Sequence, residues 1–102
     1  MDMKKMMKQA QRMQLELAKA QEEAQQMTAE ATAGGGMVKV VAKGDMTIQS
    51  IEISQSAIDF DDREMLQDMV TAAVNEALRA VSAQVSMRIN AATGGMNIPG
   101  LM

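Results

Sequence analysis

Lys4, Lys5, Lys8 and Arg12 lie near the start of the chain, with Asp2 the only acid among residues 1–12. On a helix, residues three or four apart share a face, so Lys4 or Lys5, Lys8 and Arg12 form one exposed ridge, which Lys19 continues. Cations in a row do their chemistry on anions. Such a ridge would hold the phosphates of a nucleic acid, tolerant of sequence and sensitive to salt. The same spacing equally suits the solubilising flank of a coiled coil. Arg79 and Arg88 add a second basic element late in the chain, on one side of a helix to within roughly a few tens of degrees. No aromatic interleaves these cations, which argues against stacking on single-stranded bases and favours duplex DNA held through shape and charge.

Other chemistries fare worse. The chain has no cysteine and no histidine, so it lacks thiolate chemistry, the usual general base near neutral pH and the commonest transition-metal ligand. No local pattern sets a Ser, Thr or Lys nucleophile beside a base. Gly34-Gly35-Gly36 follows a helical segment and opens a strand, whereas phosphate cradles precede a helix. Met3, Met6 and Met7 offer thioethers for copper, but the helix-one methionines fall on a packing seam and have no Cys or His to anchor a site. Asp59, Asp61 and Asp62 lack the spacing of a calcium loop. The expectation is a protein that is not an enzyme, with no metal, cofactor or small-molecule substrate.

Charge is segregated along the chain. The formal net charge is −3, yet residues 59–68 hold Asp59, Asp61, Asp62, Glu64 and Asp68 against Arg63 alone, the reverse of the first twelve residues. The N-terminus carries no continuous apolar stretch of the signal-peptide kind, and no apolar run approaches the roughly 20 residues of a membrane span. A cytoplasmic protein without membrane association is expected.

The positioning elements follow from periodicity. Met3, Met6, Ala10, Met13, Leu17, Ala20, Ala24, Met27 and Ala31 alternate three and four apart, a heptad seam predicting a helix over about residues 3–32. So narrow a stripe needs a second helix beside it. Gly34-Gly35-Gly36 is expected to cap and hinge that helix. From Met37 the period changes to alternation, with Val38, Val40 and Ala42 on one face of the first strand and, after a turn at Gly44-Asp45, Ile51 and Ile53 sharing a face with Glu52 opposed. This predicts two or three antiparallel strands over about 37–54, with a break near Gln49-Ser50 in the three-strand case. Asp61 and Glu64 suggest a capping box for a second helix over about 62–91. Its stripe runs through Leu66, Val70, Ala73, Val74, Ala77, Val81 and Val85, with Val74 at the centre. The tail, 93–102, has no period and is expected to be mobile. At 102 residues the chain is a single domain of α+β class. A modest core makes a homodimer the expected source of further stability. Met6, Ala10, Met13 and Leu17 on helix one, Val38, Val40, Ile51 and Ile53 on the strands, and Leu66, Val70 and Val74 on helix two are the expected core or dimer-packing residues.

The order of motifs resembles a known family. Met7-Lys8-Gln9-Ala10-Gln11-Arg12-Met13-Gln14 is similar to the opening MKQAQQMQ stretch of the YbaB/EbfC nucleoid-associated proteins of bacteria, and Gly36-Met37-Val38-Lys39-Val40 to their G-x-V-K-V strand. Asp62 to Val70, followed by Ala72-Ala73-Val74-Asn75-Glu76-Ala77, resembles their D-x-E-x-L-x-D-x-V-x-A-A-x-N-x-A helix, and Gly94-Gly95-Met96 with Pro99-Gly100 their close. The resemblance spans essentially the whole chain. It implies an intertwined, tweezer-shaped homodimer with a central sheet and protruding helices, located in the cytoplasm on the nucleoid and binding double-stranded DNA. It further implies that the grip uses the first helix and the end of the last, here Lys4, Lys5, Lys8, Arg12, Arg79 and Arg88. The alternative function is a protein-interaction module that docks partners on the methionine-rich helix and the tail, with DNA incidental.

Overall fold

A computed structural model describes residues 2–94. The order is α1 (Met3–Gln26), β1 (Thr28–Ala33), β2 (Val38–Lys43), β3 (Ile48–Ile53), a short 3₁₀ turn (Gln55–Ala57) and α2 (Arg63–Ala92). The strands form one antiparallel sheet in the order β1-β2-β3. The α+β architecture expected from the sequence is present: two long helices with a three-stranded sheet between them in the chain.

The first helix is shorter than its heptad suggested. It ends at Gln26 rather than near residue 32, and the sheet begins at Thr28 rather than near residue 37. Thr28-Ala29-Glu30-Ala31-Thr32-Ala33 carries two periods at once, because Ala31 continues the heptad while the alanines also alternate with Thr and Glu. Tertiary pairing decides between them. β1 hydrogen-bonds to β2 in register Ala29↔Ala42 and Ala31↔Val40, burying both alanines under α2.

The three glycines therefore do not cap a helix. They form the β1–β2 turn, with φ of +63° at Gly34, +67° at Gly35 and +94° at Gly36, a left-handed run that glycine alone adopts at little cost. β3 is a single strand, unbroken at Gln49-Ser50, and the β2–β3 ladder carries a bulge at Val41/Ala42. At α2 the N-cap is Asp62, not Asp61: its carboxylate accepts from the Met65 N–H at 3.1 Å. Asp59 instead accepts from the Asp61 N–H at 2.9 Å, shaping the preceding loop.

The core is built from small residues. Ala29, Ala31, Val38, Val40 and Ala42 of the sheet face Ala73, Ala77 and Val81 of α2, all buried. Ala73, Ala77 and Val81 repeat every fourth residue and so form the centre of the α2 stripe. Val74, expected at that centre, is half-buried at its margin, with Leu66, Val70 and Leu78. α2 crosses β1 and β2 and scarcely reaches β3.

At the other end of the sheet, Gly44 lets α1 close in. Its N–H donates to the Met27 carbonyl at 2.8 Å, and a Cβ there would fall on the Ala24 carbonyl. The last turns of α1, with Ala20 and Ala24 buried, pack on the end of α2. The first turns of α1 extend beyond it, and the molecule measures 73 × 22 × 16 Å. Most of the tail expected at 93–102 lies outside the described residues.

Candidate nucleic-acid interface

The candidate interface is built on the protruding start of α1. Asp2 caps the helix by accepting from the Lys4 N–H at 3.1 Å, which fixes the first turn and with it the bearing of Lys4 and Lys5. The segment contains no Gly or Pro, so it carries the helical period outward without a kink. Lys4, Lys5, Lys8 and Arg12 are all exposed, and none is in an ion pair among the described residues. Lys4, Lys8 and Arg12 follow one another at roughly 6 Å along the axis, a row of cations open to solvent.

The two arginines of α2 are placed differently. Arg88 donates from Nε at 3.0 Å and from Nη2 at 2.7 Å to the same carboxylate oxygen of Glu23. It ties the end of α2 to α1. Arg79 is bound within its own helix to Glu76, Nη2 to Oε2 at 3.2 Å. By helix rise Arg79 stands roughly 40 Å from Lys4, so these cations do not make one continuous patch. The structure brings Lys4, Lys5, Lys8 and Arg12 together and leaves Arg79 and Arg88 apart from them, each already holding an acid.

The expected packing residues divide in the same way. Val38 and Val40 are buried, while Leu17, Leu66, Val70 and Val74 are half-buried. Met6, Ala10 and Met13 are exposed, because the part of α1 that carries them has run past the end of α2. Ile51 and Ile53 pair with Val40 and Val38 and so share the core face of the sheet, yet they remain 44% and 41% exposed, because α2 does not extend over β3. The opposite face of the sheet is polar. Lys39 Nζ lies 2.9 Å from Glu30 and 3.6 Å from Glu52, and these neighbours, Glu30 foremost through its hydrogen bond, raise the lysine above its ordinary value.

Sequence reasoning missed Glu23, the residue that holds Arg88. A glutamate on a helix, here beside Glu22, carries no signal of a partner so distant in the chain. Among the described residues no group of acids is arranged to hold a metal ion, and no helix is long and apolar enough to cross a membrane.

A nucleoid-associated protein of Thermoanaerobacter pseudethanolicus is 55% identical over 96 residues, covering 94% of this chain and 86% of that one. One from Pelotomaculum thermopropionicum is 53% identical over 100 residues, covering 98% and 95%. The crystal structure of an uncharacterized protein from Helicobacter pylori superposes with a TM-score of 0.68 at 25% identity, covering 95% of this chain and 99% of that one. The family model of the YbaB/EbfC DNA-binding family matches residues 1–96, and the chain belongs to that family.

Proposed function

We propose that this protein is a non-enzymatic, nucleoid-associated DNA-binding protein that grips duplex DNA as a homodimer. The observation that carries the reading is the row of exposed cations, Lys4, Lys5, Lys8 and Arg12, unpaired among the described residues, on a helix that projects beyond the body of the molecule. A projecting cationic helix reaches a duplex without steric conflict from the sheet. It has no aromatic platform for unstacked bases, so its contacts go to phosphates and carry little sequence preference. Membership in a DNA-binding family and relatives named for the nucleoid support a nucleoid location in the cytoplasm. The same membership gives no support to a protein-interaction module with DNA as an incidental ligand.

The homodimer rests on Ile51 and Ile53, which lie exposed on the core face of β3 where α2 leaves the sheet uncovered. A second copy meeting that face across a twofold axis would bury both pairs of isoleucines and place two basic helices on one assembly.

The test is fluorescence anisotropy of labelled duplexes of about 30 base pairs at several salt concentrations, since the affinity of a phosphate binder falls log-linearly with salt. The parent should bind unrelated sequences alike and weaken steeply with salt. The triple variant Lys5→Ala, Lys8→Ala, Arg12→Ala should bind more weakly on every sequence, with a slope flatter by about 3 for each helix engaged. Equal binding and equal slope in parent and variant would remove the ridge as the site.

A further inference from the structure

The two ends of the molecule are complementary to each other. At one end stands the start of α1, with Lys4, Lys5, Lys8 and Arg12 against Asp2 alone, and with Met3 74% and Met7 60% exposed beside them. At the other end, beyond the sheet, lies the loop that enters α2. Here Asp59, Asp61, Asp62, Glu64 and Asp68 face Arg63 alone, and Phe60 is 95% exposed. The contacts along the rod fix this polarity. Gly34, in the β1–β2 turn, approaches Met69 near the start of α2, whereas Gly44 approaches Val85 and Glu23 holds Arg88 near its end. α1 then leaves in the opposite direction from the acidic loop, so that the two stand toward opposite ends of a molecule 73 Å long.

Phe60 is the only aromatic of the chain, and it is almost fully exposed. With Ile58 and Leu66 it lines an open groove of about 740 Å³, rimmed by Asp59, Asp61 and Glu64 and by the single cation Arg63. The exposed first turns of α1 offer what it lacks: unbranched apolar side chains flanked by cations.

We infer that the basic, methionine-bearing tip of α1 docks on the acidic Phe60 end of a second copy of this chain. The methionines enter the groove beside Phe60 and Ile58, while Lys4, Lys5 and Lys8 meet the acidic rim. The contact is heterologous, joining unlike ends, so it adds copies in a line instead of closing on itself. It is separate from the β3 face proposed for the homodimer, and it does not depend on DNA. Because it occupies the same lysines, DNA phosphates and a second copy compete for the tip. The assembly forms in low salt without DNA and is displaced by it.

Sedimentation velocity on the full chain, without DNA, tests this. The parent should form species heavier than a dimer at low ionic strength, growing with protein concentration, and shed them at about 0.5 M salt, where charges more than a few ångströms apart are screened. The tip variant Lys5→Glu, Lys8→Glu and the end variant Asp61→Lys, Asp68→Lys should each stay at or below the dimer at low salt, with parent-like circular dichroism. An equimolar mixture of the two variants should regain the heavier species, because each reversed tip then meets a reversed end. Phe60→Ser, with every charge kept, should weaken the assembly several-fold. A parent no heavier than a dimer at low salt, or a mixture of folded variants that regains nothing, would overturn the inference.

Discussion

Glu23 and Arg88 lie 65 positions apart in the chain, yet one carboxylate oxygen of Glu23 accepts from both Nε and Nη2 of Arg88, at 3.0 and 2.7 Å. The pair sits where α1 leaves the body of the molecule. It braces the helix that carries the basic ridge against the end of the helix that carries the core. Partly exposed, it contributes little to stability, on the order of 0.5 kcal/mol. Its larger effect is to keep Arg88 from other anions and to hold a negative charge on the basic arm.

Glu23→Gln should therefore act on DNA more than on the fold. The amide keeps the shape of the side chain but removes the charge that holds the guanidinium. The melting temperature should move by only a few degrees. Duplex affinity at low salt should rise several-fold, and the log–log salt slope should steepen by about 1, as one further phosphate contact requires. An unchanged slope in the anisotropy titration would show that Arg88 serves only as a brace.

Gly44→Ala tests how α1 is set against the sheet. The site leaves no room, since a Cβ meets the Ala24 carbonyl backbone and also approaches Val85 Cγ2 at 3.2 Å. Backbone atoms cannot step aside as a flexible side chain can. The variant should lose about 2–4 kcal/mol in urea denaturation, at the upper end for a single substitution. Gly35→Ala meets open space and suffers only its left-handed φ of +67°, so it should cost about 1–2 kcal/mol. The order of the two losses is the check.

The β2–β3 turn should respond to acid. Thr47 donates to the Asp45 carboxylate from its hydroxyl and, at 3.1 Å, from its backbone N–H. These bonds, the hydroxyl's first, hold Asp45 below the ordinary carboxylate value of 3.8. A depressed folded pKa gives stability that is present above the unfolded value and lost as pH falls through the folded one. The turn should thus keep its amide protection at neutral pH and lose it in acid below the ordinary carboxylate range. Thr47→Val removes the hydroxyl bond, and an NMR titration of Asp45 should then show its midpoint moving up toward the usual value. Lys39 has the opposite sign. Its pKa is raised by Glu30 and Glu52, so its contribution persists through neutral pH and disappears only above the ordinary lysine range.

Much of this molecule was legible before folding. The α2 period, closed by Gly94 at φ +67°, gave boundaries close to Arg63–Ala92, because a long run of regularly spaced small and branched residues admits one reading. The alternation of Val38, Val40 and Ala42 marked β2 and its buried face. The cationic ridge was legible because its spacing is local to α1, and local spacing is what a helix turns into a surface.

Tertiary structure decided the rest. Residues 28–33 satisfy a heptad and a strand alternation together, and pairing with β2 under α2 selected the strand. Asp61 and Asp62 are equally good caps by type, and only the path of the loop gave the cap to Asp62. Met6, Ala10 and Met13 read as core or dimer-packing residues, and within one chain they stay exposed, because α2 ends before it reaches them. Whether Arg88 is free or bound depended on Glu23 arriving from the other helix. Periods and charges, set within a few residues of chain, could be read from the order of amino acids alone. What each face meets was decided by the tertiary structure, because packing and ion pairing join residues whose separation along the chain encodes no distance in space.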